Sequence, residues 1–244
     1  MKSAALIVAA AVVAKASAFA SVGSAQRLVL SLPPRAAPVV ASAKILPAAN
    51  VGMGCLLLSK AAAMGSLNAH TAVLASTALL ATFNLAVTDN TRYSHAKRAV
   101  GVYEGKTSLP GLALQQRAIA TKWYRLVQLQ VFGQLSGLIW MARAADMTGT
   151  MRGAAAFMAS NVAYFILGAG KARHDAKGAP DPMTPALVKF VLTTDLVLFG
   201  AALLAAIAGA GRARTVSALV LCVGMLIGAV EGVPKTVAAL KALS

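Results

Sequence analysis

A polar segment at the start of one apolar stretch contains the side chains best suited to hold a ligand. Arg117 and Arg125 precede Gln128, and the spacing of Arg125 and Gln128 places both on one face of a helix. A guanidinium group binds a carboxylate through two parallel hydrogen bonds, so this pattern predicts a groove for an anionic ligand. The alternative is that Lys122 and Arg125 extend toward lipid headgroups, with Trp123 as an aromatic anchor at the membrane surface.

An acidic residue, Asp195, lies near the middle of another apolar stretch. An ionised carboxylate is costly inside a membrane, so it usually faces the interior of a helix bundle or a polar cavity. Lys189 is too far along the helix for an i,i+4 pair, and we expect the partner to be Arg125 or Lys122 on another helix. Asp195 is therefore either part of a proton or ion relay, a ligand contact, or one half of a structural ion pair.

The sequence contains no pattern for metal binding or for common catalytic chemistry. It has no Walker loop, no dinucleotide-binding fingerprint and no nucleophile elbow. The histidines and cysteines lie too far apart for ligand spacing, so we predict no metal site and no disulfide framework. These residues are His70, His95, His174, Cys55 and Cys222.

The elements that must position these side chains are long and apolar. Of the 244 residues, 58% are hydrophobic and 12% are charged, whereas soluble domains are about 45–50% apolar and about 25% charged. Five stretches are near the length that crosses a bilayer, and they must be helical because backbone groups in lipid have to bond internally. The five are Thr71–Thr88, Trp123–Ala142, Gly153–Gly170, Leu187–Ala210 and Val216–Val233.

A sixth stretch, Val51–Leu67, is interrupted by Ser59 and Lys60. We therefore predict an all-α, polytopic transmembrane helix bundle of four to six spans, formed by residues 51–244. Six spans are favoured, since an additional crossing would keep the mature N-terminus on the more basic side.

Small residues recur on two of these helices, and on the Trp123 helix they are Gly133 and Gly137. Gly224, Gly228 and Gly232 are spaced every four residues, which permits close helix packing. The ridge is either a seam between protomers of a homo-oligomer or a packing surface within one bundle. Three glutamines in the Trp123 stretch must also find partners on other helices, and they are Gln128, Gln130 and Gln134.

The first fifty residues have the composition of targeting signals. Residues 1–18 combine a short apolar run with a small-residue cleavage site, and residues 19–50 are basic and contain no acidic residue. The junction Ala16-Ser17-Ala18-Phe19 resembles that of bipartite plastid presequences in algae with secondary plastids. The resemblance implies a plastid membrane, thylakoid or envelope. The alternative is a plain secretory signal and a place in the endomembrane system.

The formal net charge of +16 has a topological explanation. Basic residues are spread over the targeting segment and the loops without interleaved aromatics, so we exclude nucleic acid as a partner. The lipid bilayer is the expected environment, and the most basic loops should face the stroma or the cytosol. These are the first and third loops and the C-terminal tail, with Arg92, Lys97, Arg98, Lys106, Lys171, Arg173, Lys177, Lys235 and Lys241.

The order of helices and polar residues over Thr71–Ala210 resembles the four-helix family of membrane-associated proteins in eicosanoid and glutathione metabolism. The resemblance is carried by Phe83-Asn84-Leu85, by Gln116-Arg117-Ala118 at a helix start, and by Tyr164-Phe165 before a basic turn. It implies trimers that hold glutathione between protomers, with Arg117 and Arg125 as the positions that would bind it. The Asn-x-x-Glu signature of the family is replaced here by other residues.

Three functions are consistent with these features, and of these we expect the first, with the second and then the third as alternatives. The first is a plastid membrane protein without catalysis of its own, acting as an accessory or assembly subunit of a larger complex. The second is a glutathione-dependent transferase or peroxidase, with glutathione as the cofactor. The third is a small-solute or proton transporter that uses Asp195.

Overall fold

The computed structural model describes residues 37–177 and 183–241, and every regular element in these ranges is helical. Helices α2 and α3 are joined without interruption by a single π-helical turn, Ala81–Leu85. The helices are α1 Ala37–Ala63, α2 Ala69–Leu80, α3 Ala86–Gly101, α4 Gly111–Arg143, α5 Met147–Ile166, α6 Ala169–Asp175, α7 Pro185–Ile207 and α8 Arg212–Lys241.

Polar residues define where several helices begin. Asn68 accepts hydrogen bonds from the first amides of α2, and Thr71 completes a reciprocal capping box with it. Asp146 accepts from the Gly149 amide at the start of α5. Thr184 caps α7, which then begins with proline, a residue well suited to the first helical position. These local signals fix the helix starts independently of the apolar packing.

Four helical segments of the described chain are long and apolar enough to cross a membrane, and a fifth is obtained if α5 and α6 form one span bent by 48°. The chain is thus a multi-pass bundle of membrane helices. Three of the segments have most of their apolar window outside the core, as expected for helices surrounded by lipid, whereas Ala69–Gly101 is 56% buried. The four segments are Ile45–Ala63, Ala69–Gly101, Pro185–Ile207 and Arg212–Ala239.

The expected span Trp123–Ala142 is a helix but is not among these segments. It forms most of α4, which is 33 residues long. Arg125 and the three glutamines lower the hydropathy of this stretch. Helix α4 packs most extensively against α5. Gly137 of α4 and Gly153 of α5 lie at this contact and allow the two backbones to approach closely.

The prediction of a polar loop after Thr88 is wrong. Helix α3 continues to Gly101, so Asp89 and Arg92 are helical residues and belong to a segment able to span a membrane. The physical reason is that the polar side chains of α3 face neighbouring helices that supply hydrogen-bond partners. A prediction from hydropathy alone ends the span at such residues.

Helix α1 begins at Ala37 and runs through the expected end of the targeting segment at residue 50. Asn50 is fully buried and Leu46 is 7% exposed, so both contribute to the core. The proposed signal peptide (residues 1–18) and the junction at Phe19 lie outside the described residues. The apolar core joins α1, α2, α4, α5 and α8 through Leu57, Leu74, Leu138, Phe157 and Leu221.

The glycine ridge of α8 packs inside the chain. A Cβ atom on Gly224 would collide with Leu198 of α7, and one on Gly228 would lie 2.8 Å from Leu80 of α2. Gly232 lies against the π-helical turn, where a Cβ atom would come within 2.6 Å of the Asn84 Cα atom. The ridge therefore brings α8 against α2 and α7, and the two long apolar outer faces of α7 and α8 remain exposed.

Candidate functional site

Asp89 on α3 lies at the centre of a group of buried polar side chains. Its side chain has no exposed surface. The Asn50 amide Nδ2 on α1 donates to Asp89 Oδ2 over 3.3 Å, and Arg92 Nη1, one helical turn further along α3, lies 3.7 Å from Oδ1. Two helices therefore meet at this carboxyl group, and the guanidinium group is close to it without a short hydrogen bond.

Three amide side chains connect Arg92 with the opposite side of Asp89. Arg92 Nη1 donates to Gln130 Oε1 over 2.8 Å, and Gln130 Nε2 donates to Asn161 Oδ1 over 2.9 Å. Gln134 Nε2 donates to the same Asn161 oxygen over 2.6 Å. The other end of the Gln134 amide lies 3.2 Å and 3.0 Å from the two Asp89 oxygens. We call this group the Asp89 cluster: Asn50, Asp89, Arg92, Gln130, Gln134 and Asn161.

Aromatic side chains form one wall of the cluster. The Arg92 guanidinium carbon is 5.6 Å from the centre of the Tyr164 ring, within the range of a cation–π contact. Trp123 Nε1 donates to the Tyr164 hydroxyl over 3.2 Å, and Trp123 is 1% exposed. The expectation that Trp123 anchors the membrane surface is wrong, since the ring is buried between α4 and α5.

Asp195 on α7 lies within electrostatic range of Arg92 but forms no ion pair with it among the described residues. The expected ion pair of Asp195 with Arg125 or Lys122 is not formed either. Helix α7 packs against α5 and α8, while Arg125 and Lys122 are exposed on α4. Arg92 thus lies close to the fully buried carboxyl group of Asp89, whereas Asp195 is partly exposed and outside ion-pair distance.

Arg117 and Arg125 do not reach the Asp89 cluster. With Lys122 they line an open groove on the outer surface of α4, and all of its described lining residues come from that helix. Gln128 is half-buried and is not among these lining residues. Among the described residues, the groove therefore offers an anion a basic surface formed by Arg117, Lys122 and Arg125.

The described residues contain no group of three His, Cys, Asp or Glu side chains that could hold a metal ion. His70 at the start of α2 contacts Thr150 Oγ1 of α5 over 2.8 Å. Cys55 and Cys222 are free thiols. The chemistry available to the cluster is therefore that of carboxyl, guanidinium and amide groups, which can hold and pass protons or bind a small polar ion.

Sequence reasoning found Asp195 but missed Asp89, Arg92, Asn50 and Asn161. The available signal was the pair Asp89 and Arg92 at i,i+3 directly after an apolar run, followed by small residues at Ala96 and Ala99 that suit a buried helix face. Asn50 was assigned to the targeting segment, and Asn161 is one polar residue in a long apolar helix.

No protein-family model matches the sequence, no curated protein matches it, and no solved structure matches its fold.

Proposed function

We propose that this chain is a membrane transport protein that moves protons, alone or together with a small polar solute, by means of Asp89, Arg92 and Asp195. The observation that carries the proposal is the complete burial of Asp89 in a helical segment able to span a membrane. Burying ionisable groups costs several kcal/mol per ion, and buried carboxylates in membrane helices typically belong to ion or proton pathways.

The charges around Arg92 support exchange of a single proton. Arg92 lies 3.7 Å from Asp89 and within electrostatic range of Asp195, so the three groups together carry a net negative charge when both carboxyl groups are ionised and are neutral when one is protonated. Uptake of one proton therefore removes an unbalanced buried charge. A purely structural ion pair would need only one of the two carboxylates.

The exposure of the three groups suggests a direction of access. Asp89 is fully buried, the Arg92 side chain is 25% exposed, and Asp195 is partly exposed beside the exposed Thr193 and Thr194. Polar groups thus extend from the buried carboxyl to the surface of α7. A proton entering at Asp195 would reach the neighbourhood of Arg92 before it reaches Asp89.

Proton flux into proteoliposomes tests the proposal. Purified protein is reconstituted with an internal pH dye, and a potassium diffusion potential drives protons inward. We expect Asp195→Asn to reduce flux at least tenfold, while Glu231→Gln, which changes an exposed acid within α8, leaves it intact. If wild-type flux equals that of empty liposomes under both polarities and in the presence of candidate solutes, the transport function is rejected.

We place the protein in a plastid membrane, on the strength of the Ala16-Ser17-Ala18-Phe19 junction and the acid-free basic segment behind it. A fusion of residues 1–50 to a fluorescent protein should enter the plastid. Phe19→Ala should divert the fusion to the endomembrane system. Secretion of both fusions would favour the plain secretory signal instead.

An accessory subunit of a larger membrane complex is the second candidate. It is favoured by the outer faces of α7 and α8, where large apolar side chains are available to lipid or to a partner helix: Phe190, Val197, Leu204, Ile227 and Val230. Native mass spectrometry after mild solubilisation separates the candidates. Co-purifying subunits would support the accessory role, and a homotrimer that retains glutathione would support the glutathione-dependent enzyme through Arg117 and Arg125.

A further inference from the structure

The orientation of the amide groups in the Asp89 cluster determines which of its members must supply hydrogens. The two ends of a Gln or Asn amide differ in chemistry, since the oxygen accepts and the nitrogen donates. The orientation of each amide is therefore decided by its neighbours. The chain of contacts runs from Arg92 through Gln130, Asn161 and Gln134 to Asp89.

The first contact is fixed by Arg92, because a guanidinium group is a donor only. Gln130 must turn its oxygen toward Arg92, and the 2.8 Å contact between them has this orientation. The Gln130 nitrogen is then directed at Asn161, which must present an oxygen to accept its hydrogen bond over 2.9 Å.

The next contact couples the two glutamines. A single atom of Asn161, Oδ1, contacts both Gln130 and Gln134. Because that atom is an acceptor for Gln130, it is also an acceptor for Gln134, whose nitrogen must face it over 2.6 Å. The Gln134 oxygen is left facing the two oxygens of Asp89, at 3.2 Å and 3.0 Å. Three acceptors meet there, and a hydrogen is needed between them.

Turning Gln134 around does not solve the mismatch but moves it along the chain. Its nitrogen would then donate to Asp89, and its oxygen would face Asn161 Oδ1 at 2.6 Å. Turning Asn161 as well would set two nitrogens against each other at Gln130, and turning Gln130 would set a nitrogen against Arg92. Each ionised arrangement therefore leaves one contact without a proper donor–acceptor pair, which is costly for buried groups.

Asn50 shows the same shortage of donors. Its Nδ2 donates to Asp89, while its Oδ1 is buried and has no hydrogen-bond partner among the described residues. Two amide oxygens, from Asn50 and Gln134, are thus available around one carboxyl group. A hydrogen on Asp89 would satisfy one of them.

We propose that Asp89 binds a proton and is a neutral carboxylic acid in this structure, donating its O–H to the Gln134 oxygen. The Asp89 cluster is then a binding site for one proton, with all contacts between Arg92 and Asp89 satisfied. Loss of the proton turns the Gln134 amide toward the carboxylate and breaks its contact with Asn161 on α5. The inference deepens the proposed function by naming the proton carrier, and only its role in transport rests on that function.

The surrounding charges are compatible with a neutral Asp89. Helix α1 contributes the uncharged Asn50, and α4 contributes two uncharged glutamines. Arg92 is 3.7 Å away and directs its short hydrogen bond to Gln130. Asp195 on α7 lies within electrostatic range of the guanidinium group without forming an ion pair with it. Tyr164 of α5 lies under the guanidinium group, and the acid and base on the neighbouring part of α8, Glu231 and Lys235, are exposed.

Infrared difference spectroscopy on protein labelled with carboxyl-¹³C aspartate tests the inference. The wild-type protein in lipid nanodiscs at neutral pH should show the isotope-shifted carbonyl band of a protonated aspartic acid. Asp195→Asn should retain the band, and Asp89→Asn should lose it. Alkaline pH should bleach the band and change the amide bands of glutamine side chains.

The outcomes separate this inference from the proposed function. Absence of a protonated-aspartate band in wild type, or its loss in Asp195→Asn with retention in Asp89→Asn, overturns the assignment to Asp89. If Asp89→Asn does not fold, the wild type and Asp195→Asn still decide the question. A band on Asp89 without flux in proteoliposomes leaves the proton site standing and rejects transport, whereas flux without the band rejects only the proton site.

Discussion

Asn50 and Asp89 are 39 residues apart and lie on different helices, yet their buried side chains share a hydrogen bond of 3.3 Å. The bond ties the first described helix to the centre of the bundle. Asn50 stands in the segment whose composition resembles a transit peptide, so a part of that segment belongs to the folded domain.

The bond predicts where the mature chain must begin. A protein that starts at Ala37 should keep the stability of the full chain, because α1 is complete. A protein that starts at Val51 should lose the Asn50 contact, the buried Leu46 and half of α1, and should unfold at a markedly lower temperature. Thermal unfolding in detergent, followed by tryptophan fluorescence, compares the two. Equal melting temperatures would contradict a structural role for residues 37–50.

The hydrogen bonds of Lys60, near the C-terminal end of α1, should contribute to the stability of the protein. Its Nζ donates to the carbonyls of Met141 and Ala142 over 2.8 Å and 3.4 Å, and also to that of Ala144. These groups form the C-terminal end of α4, where carbonyls lack helical partners. Lys60→Met should reduce the free energy of unfolding by about 1–3 kcal/mol. Lys106→Met, at an exposed loop position, is the matched control and should change it little.

The close packing of Gly232 of α8 against the π-helical turn predicts that a larger side chain at this position is destabilising. A Cβ atom there would press on the backbone of Phe83 and Asn84, which has no room to move. Gly232→Ala should destabilise the protein by about 1–3 kcal/mol, as overpacking does. Gly52 is a helical glycine with open space around it, so Gly52→Ala should stabilise by up to about 1 kcal/mol. Chemical denaturation measures both, and equal signs would contradict the close packing.

The apolar spans were largely predictable from sequence, while the site was not. Hydropathy located the helices containing Leu74, Phe157 and Leu221, because lipid-facing and core residues are both apolar. The same signal placed Asp89 and Arg92 outside the membrane, since it scores a charge without knowing its neighbours. The partners that make burial tolerable come from three other helices and are not contiguous in sequence.

Asp195 shows a second limit of prediction from sequence, which concerns the partner of a residue. Its unusual position was visible in the sequence, yet the partner expected for it on α4, Arg125 or Lys122, forms no ion pair with it. Which arginine faces α7 depends on how the helices are rotated about their axes. Apolar composition on all sides leaves that rotation undetermined.

Electrostatic attraction between Arg92 and Asp195 predicts that substitutions of the two residues have non-additive effects on stability. Arg92→Gln removes the hydrogen bond to Gln130 and the cation within electrostatic range of Asp195, which should cost about 1–3 kcal/mol of stability. Adding Asp195→Asn should restore part of the loss, because the Asp195 carboxylate that lost its cation is then neutral, and the coupling between the two changes should be about 0.5–3 kcal/mol. Glu231→Gln in the same Arg92→Gln background is the control and should be additive. Additivity of Arg92→Gln with Asp195→Asn would mean that the two side chains do not interact, and would remove Asp195 from the proton pathway.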